Sequence, residues 1–143
     1  MTEGVLPSHT NALGTIFGGV VMSWIDIAGA IAAKRFARSA VVTVAIDYMH
    51  FIAPIRLGDT VLLHAAVTWA GKTSMETEVT VEAENSITGE RRRSTLAYLT
   101  YVAVDNKGKP RKVPPLVPRD KQEKAKFEAA EKRRAQRLKW RSA

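Results

Sequence analysis

Apolar and polar positions along the chain follow two rhythms, and each predicts an element. Gly18 to Phe36 (GGVVMSWIDIAGAIAAKRF) has no Pro and is dominated by Val, Ile, Met and Ala. It is apolar on nearly every side until Lys34 and Arg35, so the pattern predicts a buried helix rather than a surface one. Two glycines open it, and the basic pair suits the negative end of its dipole. Val41 to Asp47 is β-branched and dense, and Thr60 to Trp69 is largely apolar before the turn signal Ala70-Gly71-Lys72. Ser74 to Glu84 alternates strictly, with Met75, Thr77, Val79, Val81 and Ala83 set against Glu76, Glu78, Thr80, Glu82 and Glu84. Period two predicts a strand with one buried face and one acidic face in water. Thr88-Gly89 marks a second turn, and Arg91 to Asp105 a long last strand ended by Asn106-Lys107-Gly108. One apolar helix followed by hairpin-linked strands predicts an α+β fold: a long central helix enclosed by a curved antiparallel sheet.

Composition changes this picture mainly at the C-terminal end. A chain of 143 residues can bury one real core unaided. Having no Cys, it cannot be a disulfide scaffold, hold a thiolate metal site or use a Cys nucleophile. No apolar run is long enough for a membrane span, and MTEGVLPSHTN lacks the basic start and apolar stretch of a secretory signal. The expected location is the cytoplasm. The net charge of +8 is concentrated between Arg119 and Arg141, where ten basic residues face four acidic ones; the body is nearly neutral. Pro110, Pro114, Pro115 and Pro118 precede that stretch and predict a linker or edge-hugging arm. The expected division is a folded domain over 1–115 and a basic, partly helical extension over 116–143. Phe127, Leu138 and Trp140 make no continuous stripe there, so the expectation is a solvated, frayed helix packing at most one edge on the body. It reads either as an arm for RNA, membrane or phosphate or as a plain soluble extension. Without an apolar face it does not suit a membrane surface, and nucleic acid is not the expected partner.

Three features carry candidate chemistry. Asp26 stands between Ile25 and Ile27 in the apolar helix. An ionised carboxylate buried there without partners costs several kcal/mol or has its pKa raised. Its neighbours one turn away are Met22, Ser23, Gly29 and Ala30, mostly small, which leaves room for a ligand against the helix. The plainer reading is a packing Asp that accepts hydrogen bonds. Second, Gly18 and Gly19 leave the first helical N–H groups unshielded, a place for an oxyanion or a polarised carbonyl; they equally permit tight packing. Third, Asn11 lies in the Ser8–Asn11 loop closed by Gly14; it could orient a water or a carbonyl, or be a turn Asn. His9, His50 and His64 are scattered without ligand spacing, so no metal is expected.

The run HTNALGTIFGGVVMSWIDIAGAIAA (His9 to Ala33) resembles the signature of hotdog-fold acyl-CoA thioesterases of the YciA and brain acyl-CoA hydrolase type. The likeness continues through VTVAID (Val42–Asp47), FIAPIRLGD (Phe51–Asp59), GKTSMETEV (Gly71–Val79) and TYVAVDNKGKPR (Thr100–Arg111). It implies a hotdog fold and a fatty acid metabolism enzyme that uses water, not a serine esterase nucleophile. It implies homodimers with active sites at their interface, assembling into a hexamer as a trimer of dimers. It makes Asp26 the general base or nucleophile, Asn11 a water-positioning group acting across the interface, and Gly18 and Gly19 the carbonyl-polarising site. No cofactor is implied, since coenzyme A is part of the substrate and product. The family often carries His where Phe17 stands, which leaves polarisation here to backbone amides. The short stretch before Pro7 implies a clipped first strand. The phosphates of coenzyme A call for cations; the candidates are Lys72 with Thr73 and Ser74, Arg56, and Arg91 to Arg93. That Arg trio could equally pair with the acidic face of the neighbouring strand. The alternative to an enzyme is a non-catalytic acyl-CoA-binding module whose basic tail engages a partner or nucleic acid. A hotdog dehydratase is a weaker third reading: it usually needs a His–carboxylate pair, and only His9 is near the helix in sequence.

Overall fold

In the computed structural model, which describes residues 1–142, the elements form where the two rhythms place them. Helix α1 spans Gly18–Ala37. It ends at Arg38, whose left-handed backbone (φ 54°) turns the chain while its N–H bonds the Lys34 carbonyl at 2.7 Å. Strands β1 (Thr2–Gly4), β2 (Ala40–Phe51), β3 (Thr60–Ala70), β4 (Ser74–Glu84) and β5 (Arg91–Val104) form one sheet in the order β1-β3-β4-β5-β2. All neighbours are antiparallel. β1 pairs with Thr60–Leu62. The inward positions of β4 are those the alternation picks out: Met75, Thr77, Val79, Val81 and Ala83 are fully buried. Val21, Ile25 and Ala28 of α1 pack onto that face.

Two expectations need correction. First, the sheet wraps α1 but covers only one side of it. Met22, Ile27 and Ile31 are 40, 51 and 44% exposed, because a single curved sheet covers one side of a helix. The bare face adjoins β2, an edge strand that itself exposes Val42, Val44 and Ile46. A patch of this kind along an unpaired edge marks an interface.

Second, the acidic face of the sheet is not wet and the C-terminal helix is not frayed. Helix α2 spans Lys121–Ser142; Asp120 caps it through Oδ1, which accepts the Glu123 N–H at 2.8 Å. It lies across the outer face. Lys126 reaches Glu78 at 3.0 Å, Arg133 grips both oxygens of Glu76 at 2.8 Å, and Arg137 meets Asp47 at 3.1 Å. The Arg133 guanidinium also sits 3.7 Å over the Tyr98 ring. These residues recur at helical spacing around Ala130, which is buried. Glu76 is left only 2% exposed, and its Oε1 also accepts the Thr68 hydroxyl at 2.7 Å. The arm before α2 has no regular structure, and it hugs the sheet end through Arg111 N–H to Ala103 and Val113 N–H to Lys72. No helix among the described residues is long and apolar enough to cross a membrane.

Arg133→Ala should therefore cost about 2–3 kcal/mol in urea unfolding, since it strands a buried carboxylate. Pairing it with Glu76→Leu should recover most of that. A single-variant loss below about 0.5 kcal/mol, the range of exposed pairs, would show that α2 is not clamped this way.

Candidate active site

The loop before α1 is closed by its own side chains. Asn11 Oδ1 accepts the N–H groups of Leu13 (2.9 Å) and Thr15 (3.3 Å), and Asn11 Nδ2 donates to Thr15 Oγ1 at 2.9 Å. Gly14, at φ 76°, permits the turn and donates to the Asn11 carbonyl at 3.1 Å. The loop is pinned over the helix start, where Phe17 N–H bonds the His9 carbonyl at 2.9 Å and the His9 ring meets Trp24 edge-on at 5.2 Å. Within one chain, then, Asn11 acts as a turn residue and its side chain does not bond Asp26.

At the helix start Phe17 is the N-cap, and no side chain caps the first amides. The Phe17 carbonyl accepts from Val20 and Val21, while Gly18 and Gly19 are exposed. A Cβ at Gly19 would meet nothing within 4 Å. A groove of about 340 Å³ opens beside Gly18, walled by Phe51, Ile52 and Ile55 with Ser94 among its polar groups. Unshielded N–H groups at the positive end of α1, next to an apolar groove, suit a carbonyl oxygen that gains negative charge.

Asp26 lies about two turns further along α1 and is half-buried. Its Oδ1 accepts the Thr43 hydroxyl at 2.7 Å and the Tyr101 hydroxyl at 3.1 Å. Oδ2 takes no hydrogen bond from the described residues. A carboxylate fixed through one oxygen, with the other open on a face shared with Met22 and Ile27, can hold a water and take its proton. Thr43 and Tyr101 stand opposite each other in the β2–β5 register, so one strand pair carries both donors. Neither was marked out in the sequence. Each is an ordinary strand residue, and only the register shows that both point at Asp26.

The proposed cations fall into two groups. Lys72, Thr73 and Ser74 form the β3–β4 turn, whose carbonyls at Lys72 and Thr73 accept from Val113 and Ala103; the Lys72 side chain is exposed. Ser74 is one residue from Met75, which pairs with Tyr101, so this turn borders the Asp26 end of the sheet. Arg91 and Arg93 lie at the other end of β5, opposite Glu84 and Glu82. Arg92 and Tyr101 are nine residues apart, roughly 30 Å of strand. Arg91 ion-pairs Glu84 at 3.2 Å, the cross-strand arrangement that was the alternative reading. Arg56 borders the loop before α1 through a bridge to Thr15. Arg92, the middle member of that trio, is tied inward to Asp59 at 2.7 Å and to the Pro54 carbonyl. No group of three or more His, Asp or Glu side chains that could hold a metal ion occurs among the described residues.

Residues 13–90 match the family described as the thioesterase superfamily. The chain is 43% identical over 112 residues to the acyl-CoA thioester hydrolase YciA of Escherichia coli (strain K12), covering 76% of this chain and 85% of that one. A crystal structure of an apo-hexameric acyl-CoA thioesterase superposes with a TM-score of 0.94 at 46% identity, over 100% of this chain and 91% of that one. The acyl-CoA hydrolase of Staphylococcus aureus, solved with butyryl coenzyme A, coenzyme A and coenzyme A disulfide, gives a TM-score of 0.91 at 37% identity, over 99% and 86%. That hydrolase has also been solved with an Asn, an Asp and a Thr each replaced by Ala. The Asp follows the Asn by fifteen residues and the Thr follows the Asp by seventeen. Asn11, Asp26 and Thr43 have the same spacings.

Burial, then the negative charge of Asp26 and the bond to it, push the Tyr101 phenol well above the ordinary tyrosine range. Burial and Glu78 raise Tyr98 as well. An unfolded Tyr loses its proton near pH 10 while these two keep theirs. The unfolded chain then binds fewer protons, so stability should fall as pH rises beyond about 10. Tyrosinate absorbance should climb together with loss of circular dichroism, and Tyr101→Phe should lessen the alkaline loss. Full tyrosinate formation in a chain that stays folded would contradict this.

Proposed function

The chain belongs to the thioesterase superfamily, and from that premise we propose that it hydrolyses acyl-CoA to the free acid and coenzyme A. The observation that carries the reading is the Asp26 carboxylate, held through Oδ1 and open at Oδ2, at the Asn–Asp–Thr spacing of the residues replaced in the Staphylococcus aureus hydrolase.

In the proposed reaction a water on Oδ2 gives a proton to Asp26 as its oxygen attacks the thioester carbon. The carbonyl π pair moves onto oxygen, and the N–H groups of Gly18 and Gly19 receive that charge. Asp26 and Gly19 are about 10 Å apart along the helix axis, a distance that a carboxylate, a water and a carbonyl in series can cover. When the tetrahedral intermediate collapses, the C–S bond breaks. The coenzyme A thiolate leaves and takes up the proton that Asp26 holds. Asn11, tied into its own loop, would orient the water from a partner copy across the interface. The reaction calls on no cofactor beyond the coenzyme A that the substrate itself carries.

The bare face of α1 and the free edge of β2 support a homodimer at this seam. We propose that the dimers assemble further into a hexamer, the state of the similar apo-hexameric thioesterase. Lys72, with Thr73 and Ser74, is the group we assign to the coenzyme A phosphates, with Arg56, Arg91 and Arg93 as a second cationic group. Residues 1–115 form the thioesterase domain in this reading, and 116–143 form an extension. Its Lys126, Arg133 and Arg137 are bound to the sheet, which speaks against the alternative of a free nucleic-acid-binding arm. A charged thioester that does not cross membranes makes the cytoplasm the proposed location.

Asp26→Asn and Asp26→Ala should lower thiol release from acyl-CoA by about 10²–10³-fold. Wild-type turnover in both would sink the assignment. Lys72→Ala should raise KM several-fold with kcat held, and the gap should shrink as salt is added. An unchanged KM would remove Lys72 from the phosphate site.

A further inference from the structure

We infer that Tyr101 is a positioning residue for the hydrolysis: it sets the direction of the Asp26 carboxylate without touching substrate. The inference rests on the reading of Asp26 as the base. Tyr101 is fully buried on β5 beneath α1, too deep to meet a thioester on the open face. Its hydroxyl donates to two acceptors of one residue, the Asp26 carbonyl at 2.9 Å and Asp26 Oδ1 at 3.1 Å. A helix anchor would need only the first of these. The second acts on the side chain. A carboxylate can rotate about its last torsion and offer either oxygen, and donors on Oδ1 from two strands stop that rotation and leave Oδ2 to the water.

The surroundings keep the phenol in place. Gly29 lies one turn beyond Asp26, and a Cβ there would collide with the Tyr101 hydroxyl and come within 2.9 Å of Thr77 Oγ1. The missing side chain is what lets the phenol reach the helix. Thr77 is itself fully buried, and its Oγ1 lies beside the phenol under Gly29. Burial keeps Tyr101 protonated, so it remains a donor over the working range of the enzyme. Thr43, in contrast, is exposed, and water can replace its hydroxyl.

The test compares the full-length wild type, Tyr101→Phe, Asp26→Asn and the double variant on one acyl-CoA substrate, with thermal melting to confirm folding. Tyr101→Phe should lower kcat by about 10–100-fold, the effect of a misaimed catalytic group, with KM within about twofold. The double variant should be no slower than Asp26→Asn alone, because the phenol acts through that carboxylate. Gly29→Ala, which displaces the phenol without removing it, should show the same split and serves if Tyr101→Phe does not fold. A kcat near wild type in the folded variants, or losses that multiply in the double variant, would overturn the role of Tyr101. Wild-type turnover in Asp26→Asn would instead overturn the reading of the site beneath it.

Discussion

A helix that is apolar on every side asks more of a sheet than one sheet can give. Val21 and Ile25 are fully covered, yet Met22, Ile27 and Ile31 stay bare beside the unpaired strand β2. Burying that remainder is favourable at about 25 cal/mol per Å², and in the proposed dimer the surface that does so comes down over Asp26. The requirement for a cover and the place of the acid are thus one fact. An acid so placed is open to solvent in a lone chain and, in the proposed dimer, enclosed, where its electrostatic reach is greater.

The other face of the sheet meets the opposite difficulty, since it carries carboxylates instead of grease. Glu76, Glu78 and Asp47 would repel one another if left bare, and helix α2 brings one cation to each. Ala130 lets the helix approach closely enough to exclude water. Taking two charges out of water is costly, and the geometry offsets it: two parallel bonds from Arg133 to Glu76, a ring beneath the guanidinium, and hydroxyls from Thr68 and Thr100 that add to the oxygens Arg133 and Arg137 already hold. Most of the net charge of the chain sits in this extension, and part of it has an internal purpose.

Much of this architecture was legible because periodicity reports burial. The strict alternation of Ser74–Glu84 gave the strand to the residue, and the odd acid in an oily helix gave Asp26. The outer cover was missed because a helix was expected to pack through an apolar stripe, whereas α2 packs through Lys126, Arg133 and Arg137. Thr43 and Tyr101 were missed for another reason. Threonine and tyrosine are what strands are made of, and their role comes from pairing across 17 and 75 residues of chain, which no local pattern encodes. Sequence order leaves open whether Arg91 to Arg93 lie near Lys72–Ser74, because it does not show which end of a strand faces which end of its neighbour. The register splits them.

The fastening of α2 has a thermal side. Hydration of charged groups grows less favourable on heating, so the desolvation cost of an ion pair shrinks as temperature rises, whereas apolar contact gains little beyond its plateau. A clasp made of guanidinium and carboxylate therefore loosens more slowly with warmth than one made of leucines would. The extension should stay seated on its sheet in a heated molecule.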